Sequence, residues 1–128
     1  MKKAIAVFAT AVTLLAASCS HAQKVEEIPP ATFAREIKST NAILVDVRTP
    51  EEYKEGHLQN ALNIDWLGDG FEQSAAKLDK TKPVYVYCRS GKRSSDAAEK
   101  MKELGFEKVY ELDGGISAWE DAKLPIEK

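Results

Sequence analysis

The sequence predicts an α/β fold, a parallel sheet with helices on both faces. Three observations carry this. Short apolar, often β-branched runs alternate with helical patterns along the chain. The clearest runs, ILVDV (43–47) and VYVYC (84–88), are nearly continuous in apolar character, as suits strands buried on both sides. The helical patterns open on proline or a capping residue and close on glycine. At 128 residues, one domain is expected.

The first residues stand outside that domain. Lys2 and Lys3 precede an apolar run from Ala4 to Ala17, the layout of an export signal and too short for a membrane span. Two cleavage points compete. Ser20-His21-Ala22 places small residues at the two recognition positions for a cut before Gln23. The run LAASC resembles a bacterial lipoprotein box, with cleavage before Cys19 and lipidation of that cysteine, although Ala16 stands where such a box usually has leucine. Residues 1–22 are therefore read as a signal peptide and the protein as exported, periplasmic or in the envelope. A lipid anchor at Cys19 is the only membrane link expected. Removing residues 1–18 takes away two lysines, leaving 16 Lys and Arg against 20 Asp and Glu, a net charge of −4. A mildly acidic domain argues against a nucleic-acid partner.

The domain is taken as residues 28–128, after a polar, mobile lead-in over 23–28. In IPPATFAREIKS, Pro30 suits the first turn of a helix, and Phe33, Ala34 and Ile37 share one face. The strand 43–47 follows. Thr49 is a good N-cap for the next helix, Pro50 a good first residue, and Glu51 and Glu52 suit its positive end. Gly56 ends it. ALNI (61–64) is a short strand, and FEQSAAKL (71–78) offers two helical turns. VYVYC enters from Pro83. KRSSDAAEKMKELG then carries the stripe Ala97, Ala98, Met101 and Leu104, closed by Gly105. VYEL (109–112) is a further strand. A sharp turn at Gly114-Gly115 leads into a last helix carrying Trp119.

Right-handed crossovers put all strand C-termini at one edge of such a sheet, where ligand sites lie. Cys88 ends its strand there, in the stretch CRSGKRS. It is the single thiol of the domain, so it has no disulfide partner within it. Counting alone favours an inert buried cysteine. Its surroundings argue for a reactive one. Thiolates form more readily near cations and helix N-termini, and the thiolate is the nucleophile. Arg89, Lys92 and Arg93 surround Cys88, and a helix starts near Arg93. Ser90 and Gly91 allow a curl whose N–H groups point inward as an anion nest, with glycine free to take a positive φ.

Other candidates read more plainly. His57 suits packing or helix capping, and one histidine with one cysteine makes no metal site. Trp66 and Trp119 suit the core or its rim. Asp46 and Arg48 end a strand at the same edge as Cys88. They read equally as a structural ion pair or as supports that fix the loop by charge-assisted hydrogen bonds.

Three ordered segments resemble the single-domain rhodaneses, the thiosulfate sulfurtransferase family: CRSGKRS, DVRTPEEYKEGHLQNALNI (46–64) and LDGGISAW (112–119). They span the chain from about Ile28 to its end. Gln59-Asn60 departs from the family's usual glycine before Ala61. The resemblance implies a rhodanese-like fold with a five-stranded, mostly parallel sheet. It implies that Cys88 takes the outer sulfur of a donor such as thiosulfate as a persulfide. A thiophilic acceptor, such as cyanide, a small thiol or a protein thiol, then removes it. Arg89, Ser90, Gly91, Lys92 and Arg93 would line the pocket, Asp46 and Arg48 would support it, and no cofactor or metal is implied. Two alternatives stay open. The domain could carry a persulfide without turnover. Related phosphatases and arsenate reductases use Cys, five residues and Arg, but here that place holds Ser94, and arginine comes one residue early.

Overall fold

A computed structural model of the chain describes residues 25–39 and 41–128. The expected leader over residues 1–22, its two cleavage points and Cys19 lie outside these residues. Five strands, β1 (Glu26–Ile28), β2 (Ile43–Asp46), β3 (Leu62–Asn63), β4 (Val84–Tyr87) and β5 (Val109–Leu112), form one sheet in the order β1-β5-β4-β2-β3. Every pairing is parallel, which sharpens the expectation of a mostly parallel sheet. The helices are α1 (Pro30–Glu36), α2 (Pro50–Glu55), α3 (Phe71–Ala76), α4 (Lys92–Glu103) and α5 (Gly115–Asp121).

β1 corrects the sequence reading, which took 23–28 as a mobile lead-in. Glu26-Glu27-Ile28 has one apolar side chain, so it lacks the pattern of a strand. Its backbone nevertheless pairs with Tyr110, Glu111 and Leu112 at the sheet edge, and Ile28 is buried. An edge strand exposed on one flank needs little apolar content, because its partner supplies the register.

Strand residues alternate between two cores. On one face Val45, Val47, Val84, Val86, Cys88 and Val109 meet Phe71 and Ala75 of α3 and Ala97, Ala98 and Met101 of α4. On the other, Leu44, Tyr85, Tyr87 and Leu112 meet Phe33 of α1 and Ile116 and Trp119 of α5, with Tyr53 of α2 packed beside them. This two-sided burial is why β2 and β4 read as apolar runs. The stripe expected on α4 is the face it buries, with Leu104 partly buried at its end.

The helix starts follow their residues. At α2, the Thr49 hydroxyl accepts from Glu52 N–H at 3.2 Å, and Glu52 Oε1 accepts from Thr49 N–H at 3.3 Å, a reciprocal capping box. Pro30 and Pro50 each occupy a first-turn position. The C-terminal ends of β2, β4 and β5 lie on one edge, where Cys88 follows β4 directly.

Candidate active site

Cys88 is 1% exposed and lies where the turn 88–91 meets the N-terminus of α4. Gly91, at φ 120°, turns its N–H onto Cys88 Sγ at 3.0 Å. That positive φ is the conformation glycine tolerates best. The expected inward curl is thus present, with one loop N–H on the sulfur. Ser94, in the first turn of α4, places its Oγ 3.4 Å from Sγ on the other side. First-turn N–H groups of a helix have no acceptor within it, and its dipole favours negative charge there. The site holds a buried sulfur between the Gly91 N–H, which donates to it, and the Ser94 hydroxyl.

The outer side of the turn is held by α5. Ile116 N–H donates to Cys88 O at 2.9 Å and Ser117 N–H to Arg89 O at 3.1 Å. This contact explains Gly115. A Cβ on Gly115 would stand 2.4 Å from Arg89 O and 2.7 Å from Cys88 O, and its φ is +63°. The turn therefore hangs by its carbonyls from one helix start, leaving the Gly91 N–H to face the sulfur.

The three loop cations separate. Arg93 forms a fork onto Glu52, with Nη1–Oε1 at 2.7 Å and Nη2–Oε2 at 3.0 Å. Arg89, more exposed, reaches the same carboxylate at 3.3 Å. The Arg93 hydrogen bonds pull the Glu52 carboxyl down to about 2. Lys92 is exposed and makes no ion pair among the described residues. Ser90 is exposed at the tip of the turn.

The Rhodanese-like domain family matches residues 29–122. The chain belongs to the rhodanese family. It is 37% identical over 83 residues to a protein named thiosulfate sulfurtransferase GlpE from Coxiella burnetii, covering 65% of this chain and 76% of that protein. A Vibrio cholerae protein of the same name is 36% identical over 91 residues, covering 71% and 84%. A crystal structure of a rhodanese-related protein from Thermoplasma volcanium has 29% identity and a TM-score of 0.70, covering 80% of this chain and 97% of that one.

One departure from the usual rhodanese pattern has a structural account. Asn60 stands directly before Ala61, where the family often has glycine, and has φ 68°. Asparagine is among the few non-glycine residues that enter the left-handed region readily, so the turn before Ala61 is kept.

Asp46 and Arg48 do not reach the loop of this rhodanese domain. They form a buried pair, with Nη2 of Arg48 at 2.7 Å and Nε at 3.0–3.2 Å from the carboxylate. Arg48 Nη2 also donates to Gly56 O at 2.6 Å, and the Tyr87 hydroxyl donates to Asp46 Oδ2 at 2.6 Å. No hydrogen bond among the described residues runs from either to residues 89–93. The reason is strand parity. Asp46 is in register with Tyr87, whose side chain points to the opposite face from Cys88. The pair therefore anchors the strand end behind Cys88. Burial and the Asp46 carboxylate push the Tyr87 phenol well above its ordinary range, keeping it a donor.

Three residues absent from the expected site belong to it. Ser94, counted earlier only for loop length, touches the sulfur. Glu52, read as a helix-start acid, clamps Arg89 and Arg93. Glu111, 2% exposed on β5, accepts from Ser94 Oγ at 2.7 Å and from Ser95 Oγ at 2.9 Å. Burial pushes its carboxyl up, against the two serine hydrogen bonds. An acid inside VYEL was the available signal, because alternation from Val109 aims it at the face that holds Cys88.

His57 and the tryptophans take the plainer roles expected. His57 Nδ1 lies 2.9 Å from Tyr53 O at the end of α2, and its ring stacks on Tyr53 with centroids 3.7 Å apart. Trp119 is in the core, and Trp66 packs edge-on to Phe71 at its rim.

Proposed function

We propose that this rhodanese domain is a sulfurtransferase that moves a sulfane sulfur through a persulfide on Cys88. The observation that carries the reading is the Gly91 N–H placed 3.0 Å from Cys88 Sγ at the head of α4. Cys88 thiolate attacks the outer sulfur of a donor such as thiosulfate. A new S–S bond forms at Cys88, the donor's own S–S bond breaks, and its electron pair leaves with sulfite. A thiophilic acceptor, cyanide or a thiol, then attacks the outer sulfur of the persulfide, and Cys88 leaves as thiolate. Dividing the transfer at a covalent intermediate is nucleophilic catalysis. The Gly91 N–H fixed on the sulfur stabilises its charge in both half-reactions without reorganising. Lys92 is free to draw in an anionic donor, while Arg93 is held by Glu52.

Arg93's commitment to Glu52 also counts against a phosphatase, whose cradle needs an arginine turned onto the substrate. The thiosulfate sulfurtransferases of Coxiella and Vibrio to which the chain is similar support the sulfur reading. The leader-like N-terminus supports an exported protein, in the periplasm or envelope.

Intact mass after incubation with thiosulfate tests the activity. The wild-type chain is expected to gain one sulfur atom and to lose it on adding cyanide, and Cys88→Ser is expected to gain none. An unchanged wild-type mass would sink the proposal.

A further inference from the structure

Glu111 is a buried acid that the transfer above does not use. It is 2% exposed and makes no ion pair among the described residues. Val86, its register partner on β4, lies two residues before Cys88, and both Glu111 and Cys88 face α4. One hydroxyl stands between the two groups. Ser94 Oγ is 2.7 Å from Glu111 Oε1, 3.4 Å from Cys88 Sγ and 3.1 Å from Gly91 O. Ser95 Oγ steadies the same carboxylate at 2.9 and 3.1 Å.

We propose that Cys88 and Glu111 share one proton through the Ser94 hydroxyl, so that the nucleophile and this carboxyl titrate as a single unit. Two arrangements satisfy the chain of contacts. In one, the Cys88 thiol donates to Ser94 and Ser94 donates to a Glu111 carboxylate. In the other, the S–H bond has broken and its proton sits on Ser94 Oγ, while the former Ser94 proton sits on Glu111 Oε1. Serine keeps one O–H bond throughout, and the single negative charge moves from carboxylate to sulfur. The thiolate then accepts from both Gly91 N–H and Ser94 O–H. Glu111 acts as a positioning residue: through Ser94 it decides which way that hydroxyl points.

The groups around Glu111 strengthen its hold on a proton, which is what a shared proton requires. From β1 Glu27 lies in register beside it, and Asp113 follows on its own chain. From α4 it meets the neutral hydroxyls of Ser94 and Ser95, while Arg93 at that helix start is bound to Glu52 and Lys92 is exposed. From β4 Cys88 is the ionisable group on the same face, Tyr85 and Tyr87 lying on the other. Burial raises the carboxyl further.

The inference rests on Cys88 being the nucleophile, but its test uses no sulfur donor. In the full chain, thiolate ultraviolet absorbance is titrated as the difference from Cys88→Ser. Wild type is expected to ionise in two steps, because a second charge must form beside the first. Glu111→Gln keeps an oxygen for Ser94 to donate to and removes the charge. Its thiol is expected to ionise in one step, at a pH lower than the later wild-type step by about one unit or more, the coupling at which such pairs separate. Superposed curves, or a shift to higher pH, overturn the proposal. The reciprocal arm serves if Glu111→Gln does not fold. The infrared carboxylic-acid stretch of Glu111 is expected to titrate at lower pH in Cys88→Ala, and an unmoved midpoint overturns the shared proton. A chain that takes no sulfur from thiosulfate would sink the proposed activity and leave both titrations standing.

Discussion

Glu52 binds Arg93 through two parallel hydrogen bonds, at 2.7 and 3.0 Å, across 41 residues of sequence. The same carboxylate closes the capping box on Thr49. One side chain therefore starts α2 and ties it to the first turn of α4, beside Cys88.

This arrangement makes acid stability a readout. The Glu52 carboxyl drops from 4.5 to about 2 on folding, chiefly through Arg93. A lowered folded value means that the stabilisation is complete above 4.5 and is lost as pH falls from 4.5 towards 2. Urea midpoints of the wild type are expected to fall across that window. Those of Glu52→Gln should start lower at neutral pH and fall less. Parallel pH dependence in the two proteins would contradict the assignment.

Gly115→Ala is expected to destabilise the domain and abolish sulfur uptake together. Its Cβ would meet Arg89 O at 2.4 Å at a φ of +63°. Strain of this kind costs about 1–3 kcal/mol before any displacement of the turn. Gly70→Ala is the control, since nothing lies within 4 Å of the added carbon. Denaturant melts of the two variants should differ clearly, and a neutral Gly115→Ala would mean that α5 does not seat the turn.

Arg48→Ala should lower stability by about 3–5 kcal/mol, because it leaves the buried Asp46 carboxylate without its cation. Tyr87→Phe should cost about 1–3 kcal/mol, since it removes the hydroxyl that joins Asp46 to Leu58 N–H. Both variants retain the loop and Cys88. Persulfide formation, measured well below their melting temperatures, is expected to stay near wild type. A selective loss of uptake in a stably folded Arg48→Ala would restore the direct support that strand parity argues against.

Lys92→Glu should leave the urea midpoint unchanged, as the side chain is exposed and unpaired among the described residues. Turnover with thiosulfate should fall about two- to fivefold, the equivalent of the ~0.5–1 kcal/mol that exposed charges contribute. The deficit should shrink in high salt. Equal losses of stability and turnover would remove Lys92 from the donor path.

Much of this molecule was legible in its sequence because local rules agree with the fold. β2 and β4 announce themselves by continuous burial, α2 by Thr49-Pro50, and the turn by a cysteine at a strand end followed by Gly91. What escaped lies in contacts between distant segments. β1 has the composition of a polar lead-in and becomes a strand only beside β5. Glu52 is visible as a helix-start acid, but its hold on Arg93 exists only after α2 and α4 meet. Asp46 and Arg48 were placed at the correct sheet edge, and one residue of register turned them to the other face. Glu111 sits in an otherwise apolar strand, and the hydroxyls that accommodate it come from a helix more than a dozen residues earlier.

The end of the chain is a buckle. His57 and Glu127 exchange backbone hydrogen bonds of 2.8 Å in both directions, and Trp119 Nε1 donates to Pro125 O at 3.0 Å. Leu124 packs into the core opposite the one that contains Cys88. Residues 124–127 thus strap the end of α2, with Leu124 on the far side of the sheet from Cys88. A dye on the exposed Lys128 would sit beside this strap. Trimming the chain before Ile126, by contrast, would unfasten the segment that holds Gly56 and, through its carbonyl, Arg48.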